Sequence, residues 1–181
     1  MGQVRVIGGI HRSRILKFKD GVNGLRPTPD RVRETLFNWL GQDLTGKTCL
    51  DLFAGSGALG FEALSRNAKW VTLVEKDIAV VKDLRRNQEV LAMSNIEITN
   101  SNGINYLERL PKGFDVIFLD PPYQSELLSK SLDIISKTDV LTNNGVIYIE
   151  YQTRPNLDGY DIIKESKAGN VGYMLITPIR K

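Results

Sequence analysis

The chain is poor in the residues that build disulfides and metal centres. It holds one cysteine and one histidine in 181 residues. A single cysteine excludes an intrachain disulfide and fits a reducing compartment. Cys49 sits in a short apolar run, where a thiol packs as a small hydrophobe rather than reacting. His11 has no second histidine and no nearby cysteine, so no metal site is expected. No apolar run approaches the roughly twenty residues that cross a bilayer, and the amino terminus lacks the basic-then-apolar pattern of a secretory signal. A soluble, cytoplasmic protein is expected, of a length that suits one domain with a sufficient core.

Charge is small in sum but uneven along the chain. The net charge is +3, yet eight of the 24 Lys and Arg and only two of the 21 acids fall within residues 1–33. A basic segment on a near-neutral body fits a polyanionic partner, and a solvated surface hairpin is the plainer reading. Alternation predicts strands over 3–7 and 14–19, joined through 8–13, as a basic β-hairpin or flap. Arg5, His11, Arg12, Arg14 and Lys17 within it, and Arg31 shortly after, are candidate nucleic-acid contacts.

A loop over 21–25 leads into Arg26-Pro27-Thr28-Pro29, which sets a helix start with Thr28 as N-cap and Pro29 at the first helical position. Val32, Leu36, Trp39 and Leu40 form its buried stripe. Arg26 and Thr28 at such an N-terminus could hold a carboxylate, or Thr28 could serve only as a cap.

The stretch Asp51-Leu52-Phe53-Ala54-Gly55-Ser56-Gly57-Ala58-Leu59-Gly60 organises the rest. It follows an apolar run at 48–50 and precedes a helical pattern, so its glycines fall where a strand turns into a helix. Gly55 and Gly57 let backbone approach a ligand, and Gly60 lets helix and sheet pack closely. Gly55-x-Gly57-x-x-Gly60 satisfies a dinucleotide spacing, with Glu75 twenty residues past Gly55 placed to accept ribose hydroxyls. Asp51, however, would repel a pyrophosphate and attract an ammonium or sulfonium group. That combination favours S-adenosylmethionine, a nucleoside carrying an amino acid and no phosphate.

Beyond it the chain alternates. Helices are expected over 59–66, 78–91, 104–110 and 126–136, and strands over 70–74, 96–99, 115–119 and 146–151. This is the rhythm of an α/β fold with a mostly parallel sheet covered on both faces. Strands over 160–167 and 173–178, separated by a glycine-containing turn, close it as an antiparallel hairpin. Asn102 follows the third strand at the same sheet edge as Gly55 and Glu75, as an adenine contact or as a loop cap.

Asp120-Pro121-Pro122-Tyr123 ends the fourth strand. Two prolines make a rigid extended turn and leave the Pro121 carbonyl unconsumed by a helix. Asp120 and that carbonyl can each accept one N–H of an exocyclic amine while Tyr123 stacks on the base. Holding the amine in line with an S–CH₃ bond, and taking its proton, is the chemistry such a set can perform.

These motifs resemble the cofactor and Asp/Asn/Ser-Pro-Pro-aromatic signatures of Rossmann-like class I amino-group methyltransferases. Residues 6–9, 25–28, 30–40, 50–60, 100–102 and 119–123 further resemble the bacterial 16S rRNA (guanine-N2) methyltransferases that modify guanine 966. The resemblance implies a seven-stranded sheet with a small N-terminal hairpin, and a single domain with residues 1–25 as flap and 26–181 as catalytic core. It implies S-adenosylmethionine as donor, no metal, and 16S rRNA in an assembling or assembled 30S subunit as substrate, with no obligate protein partner. Asp120, Pro121 and Tyr123 would be catalytic, and Arg26, Thr28, Asp51, Phe53, Gly55, Gly57, Glu75 and Asn102 would hold the cofactor. Where the family has Trp-Arg-Gly-Arg, this chain has His11-Arg12-Ser13-Arg14. A DNA adenine-N6 or cytosine-N4 methyltransferase would need a major-groove recognition region for which the chain has no room. A peptide-glutamine methyltransferase or a non-catalytic RNA-binding assembly factor on this fold are the other readings.

Overall fold

A computed structural model describes residues 1–19, 27–123 and 125–180. The alternation near the amino terminus produces strands β1 (Gly2–Arg5) and β2 (Ile15–Phe18), antiparallel with Gly2 opposite Phe18 and Arg5 opposite Ile15. Arg26 and the loop expected over 21–25 lie outside the described residues.

The remaining elements follow in βα order. They are α1 (Asp30–Trp39), β3 (Thr48–Asp51), α2 (Ala58–Ser65), β4 (Trp70–Glu75), α3 (Ile78–Val90), β5 (Ile96–Asn100) and α4 (Gly103–Glu108). Then come β6 (Phe114–Leu119), α5 (Leu127–Ser136), β7 (Leu141–Tyr151), β8 (Tyr160–Ala168) and β9 (Val171–Pro178). The seven-stranded sheet runs β5-β4-β3-β6-β7-β9-β8, parallel through β7, with β9 antiparallel to both its neighbours. Strand order reverses between β3 and β6, and open α/β sheets bind ligands at the carboxyl ends of strands at such a switch point.

Both faces of the sheet are covered, as continuous apolar strands require. The period-two alternation divides β6 between two cores. Val116 and Phe118 pack with α1 and α2, while Ile117 and Leu119 pack with α4 and α5. Cys49 is buried in the first core, and burial pushes its thiol up to about 12, which leaves it unreactive. The stripe of α1 is rotated from expectation. Arg33 and Phe37 are buried with Val32 and Leu36, whereas Trp39 and Leu40 are half-buried, Trp39 stacking on Tyr173 of β9.

Every residue of α2 is buried, including Glu62 and Ser65, because the sheet covers one side and the N-terminal hairpin the other. Glu62 is the anchor. Its carboxylate accepts the backbone N–H groups of Ile7 (2.8 Å) and Gly8 (2.9 Å), and pairs with Arg33 (3.2 Å) and Arg66 (2.9 Å). The Arg33 guanidinium also donates to the Thr28 and Arg5 carbonyls and to Asp30. Arg33 is one of the basic residues counted in the charge of residues 1–33, and it sits inside the protein, unable to meet a polyanion.

The hairpin therefore lies against the body rather than standing out as a flap. Its turn hydrogen-bonds the last residues of α2, through Ile10 N–H to the Ser65 carbonyl and His11 N–H to Ser65 Oγ. Arg14 reaches the Val90 carbonyl at the end of α3. In that turn Ser13 adopts φ +71°, a left-handed backbone that favours glycine.

Two stability measurements follow. Glu62→Ala leaves two buried guanidinium groups and two backbone N–H groups without their acceptor, and should cost about 3–5 kcal/mol in urea denaturation. Ser13→Gly relieves a left-handed backbone at some cost in chain entropy and should gain about 0.5–1 kcal/mol.

Candidate active site

Four acids close four parallel strands side by side. Asp51 ends β3, Glu75 ends β4, Asp120 follows β6, and Glu150 lies near the end of β7. The parallel registers bring Asp51 level with Leu73 and Phe118, and Leu119 level with Ile149, so Asp120 comes beside Glu150. Together they edge one cleft of about 690 Å³. Thr28, Asp51, Phe53, Gly55, Glu75, Asn102, Asp120, Pro121 and Tyr123, singled out from the sequence, all line it. Gly57 does not. At φ +80° it turns the chain into α2, and a Cβ there would strike the Phe61 ring at 2.6 Å.

The glycine loop is shaped by its own hydrogen bonds. Gly55 takes φ +55° and donates its N–H to Glu75 Oε2 (3.0 Å), while Glu75 Oε1 accepts the Asp77 N–H (3.0 Å). Both Glu75 oxygens are thus fixed at the cleft wall, each with a further lone pair for a ligand hydroxyl. The start of α2 is less open than the glycine pattern suggests. Ser56 Oγ accepts the Ala58 N–H and Asp51 Oδ2 accepts the Gly60 N–H at 3.1 Å. Gly60 does pack tightly on the sheet, since a Cβ there would meet Leu73 at 2.1 Å.

Asp51 is buried, and that raises its carboxyl to about 7, with the neighbouring Glu75 and Glu150 charges adding to the effect. Lys76 is the one Lys or Arg among the described lining residues. A cleft edged by four carboxyl groups favours a cation and opposes a polyphosphate.

Thr28 is not the helix cap. Pro29 takes the N-cap position of α1 without a side-chain bond. The Thr28 hydroxyl instead lies 2.8 Å from Glu150 Oε1 and 3.5 Å from Asp120 Oδ2. With one proton it donates to the nearer oxygen, because the buried Glu150 carboxyl needs a donor more than the exposed start of a helix does. Asn102 accepts the Ile104 N–H (2.9 Å) and Asn105 N–H (3.3 Å) through Oδ1, so it is the cap of α4, and its amide N–H₂ is what it can offer a ligand.

Glu150 is the site residue that the sequence reading missed. It is 5% exposed, and its Oε1 also accepts the Tyr148 hydroxyl at 2.6 Å. Its local signal, an acid closing an apolar strand, is the one that marks Asp51 and Glu75. Asp120 is raised well above the ordinary carboxylate range, first by burial and then by the Glu150 charge and hydrogen bond. The Tyr123 phenol is raised by burial and by the charges of Asp120 and Glu150, so its hydroxyl interacts with the pair.

The candidate nucleic-acid residues are not gathered here. Arg31 is exposed on the first turn of α1, close to the lining residues Thr28 and Pro29. His11, Arg12 and Arg14 lie at the far ends of α2 and α3, and eight helical residues put about 12 Å between the two ends of α2. Arg5 and Lys17 sit exposed along the hairpin strands between.

A family model described as Conserved hypothetical protein 95 matches residues 4–177. Ribosomal RNA small subunit methyltransferase D of Escherichia coli K12 is 42% identical over 178 residues, spanning 96% of this chain and 89% of that protein. Its Haemophilus influenzae counterpart is 41% identical over 182 residues, spanning 96% and 93%. A solved Escherichia coli structure described as a methyltransferase superposes with TM-score 0.89 at 41% identity, covering 99% of this chain and 100% of that one. A Thermus thermophilus 16S rRNA N2 G1207 methyltransferase, 20% identical, shares the fold with TM-score 0.72 over 99% of this chain and 50% of its own.

The raised Asp51 carboxyl has a measurable consequence. The folded protein keeps its proton up to about pH 7, whereas the unfolded chain releases it near 4. Stability from this group is complete below the unfolded value and declines as pH rises toward about 7. Asp51→Asn should therefore gain stability relative to the parent as pH is raised from about 5 to 8 in urea denaturation. A pH-independent difference would return Asp51 to the ordinary carboxylate range.

Proposed function

The chain belongs to the family of the Conserved hypothetical protein 95 model, which it shares with ribosomal RNA small subunit methyltransferase D, and on that premise we propose what it does. It transfers a methyl group from S-adenosylmethionine to 16S rRNA, at the exocyclic N2 of guanine 966. One observation carries this reading. Glu75 and the Asp120-Pro121-Pro122-Tyr123 turn open into the same cleft from either side of β3, so a nucleoside held at the first lies beside a base held at the second.

The residues present suit the cofactor. Glu75 offers two backbone-fixed oxygens to ribose hydroxyls, the Asn102 amide reaches toward an adenine, and Phe53 and Gly55 wall the loop. Asp51 and its acidic neighbours favour the positively charged end of the molecule, and Arg26 is the candidate for its carboxylate, the Thr28 hydroxyl being taken by Glu150. When bound, S-adenosylmethionine supplies a methyl group on a sulfonium, which is already a good leaving group, so no metal is required.

The protein then acts by placement and proton removal. Asp120 and the Pro121 carbonyl accept the amine hydrogens, which aims the nitrogen at the methyl carbon and draws its lone pair out of conjugation with the ring. Tyr123, 39% exposed, covers the base. On this reading Arg31 meets the RNA near the target base. Arg5, His11, Arg12, Arg14 and Lys17 meet phosphates farther off, a separation that a folded rRNA in an assembling or assembled 30S subunit can span. The work is done in the cytoplasm.

The test is transfer of label from tritiated cofactor to 30S subunits or naked 16S rRNA, followed by mass mapping of the nucleosides. N2-methylguanosine at one position is the expected product. Asp120→Ala should slow transfer by about 10²-fold or more while cofactor affinity in calorimetry is retained. Label in methyladenosine or in DNA, or no transfer, would overturn the proposal.

A further inference from the structure

Resting on that reading, we propose that Glu150 is a positioning residue that acts through Asp120 as the terminal holder of the proton leaving the guanine amine. A carboxylate buried at the wall of the cleft, beside the acid that receives the amine, needs an account. Glu150 is 5% exposed, with two hydroxyls on one oxygen, Tyr148 at 2.6 Å and Thr28 at 2.8 Å. Thr28 is itself fixed, because buried Arg33 binds its carbonyl at 3.0 Å. Asp120 and Glu150 flank one Thr28 hydroxyl and hydrogen-bond to each other, and two carboxyl groups so placed do not both ionise, so the pair holds one proton. The two hydroxyls already donate to Glu150, and Asp120 is the raised acid of the pair, so we assign the shared proton to Asp120, which gives Glu150 a hydrogen bond.

That protonation state changes what Asp120 can do. Asp120 Oδ2 lies on the side of Thr28. Its O–H points to Glu150, and the other oxygen is left to accept an amine hydrogen. As the N–CH₃ bond forms and the S–CH₃ bond breaks, the nitrogen becomes cationic and gives up a proton. The N–H bond breaks and an O–H bond forms on the free Asp120 oxygen, while the Asp120 Oδ2–H bond breaks and an O–H bond forms on Glu150. Asp120 ends as it began, neutral, and the proton rests on Glu150. Tyr123 is 39% exposed and its phenol interacts with Glu150, which gives a path to solvent once product leaves.

Other groups near Glu150 have to be counted in any pH dependence. They are Asp51 on β3, Asp120 after β6, Tyr148 on the same strand, Tyr123 in the turn and Tyr173 opposite on β9. The Tyr123 and Tyr148 phenols are raised and stay neutral in the working range. Asp51 is separated by the Asp51→Asn variant.

The experiment is single-turnover methyl transfer to rRNA across pH, with cofactor affinity by calorimetry as the control for folding. The parent should show an acid limb as the Asp120–Glu150 pair gives up the first of its two protons. Glu150→Gln keeps an oxygen for Thr28 and Tyr148 but holds no proton. It should lower the rate about 10²-fold and lose the limb, and Glu150→Asp should restore part of the rate. Tyr148→Phe removes one donor from the anion and should move the limb to higher pH. A Glu150→Gln profile that overlays the parent, or a Tyr148→Phe limb that stays in place, would overturn the inference. Failure of the parent itself to methylate rRNA would instead overturn the proposed function on which it rests.

Discussion

One buried guanidinium ties the parts of this protein together. Arg33 is 0% exposed and touches four separate pieces of chain, the Arg5 carbonyl of the hairpin, Glu62 of α2, Asp30 of its own helix and the Thr28 carbonyl at the cleft. A planar donor with five N–H groups suits that task, and a lysine could not bond in so many directions. A buried ion cluster is not in itself a large source of stability, since its desolvation offsets much of its attraction. What it supplies is specificity. The hairpin has one place to dock, α1 one rotation to adopt, and Thr28 one position from which its hydroxyl reaches the carboxyl pair.

The cleft poses the opposite electrostatic problem. Asp51, Glu75, Asp120 and Glu150 converge with Lys76 as the one lining Lys or Arg among the described residues. Each carboxyl is relieved in a different way. Glu75 accepts two backbone N–H groups, Asp51 accepts one and keeps its proton to about pH 7, and Glu150 takes two hydroxyls and shares a proton with Asp120. The remaining imbalance favours a cationic ligand over a phosphorylated one, which is the distinction between a sulfonium nucleoside and a dinucleotide.

Much of this is legible in the sequence. The strands and helices fall within a few residues of where periodicity places them, because the pattern of apolar side chains is the pattern of burial on a two-sided sheet. Gly55, Gly57 and Gly60 each serve a separate steric need, the first two at positive φ and the third against Leu73. Asp51, Glu75 and Asp120 are visible as acids that close apolar strands. Glu150 carries the same mark and passed unnoticed, since nothing local says that β7 pairs beside β6. Thr28 looks like a helix cap for the same reason, as its sequence neighbours offer a cap and its spatial neighbours offer two carboxyl groups.

The sequence by itself determined the α/β rhythm, the strand-to-helix glycine turn and the type of chemistry at each strand end, because these depend on residues a few positions apart. Only the tertiary structure decided that Arg33 is internal, that the basic turn at His11 to Arg14 lies at the far ends of α2 and α3, and that Glu150 stands against Asp120. Those facts depend on which strands become neighbours and on what covers α2. That choice is made by summed burial over the whole chain, and no short window of residues contains it.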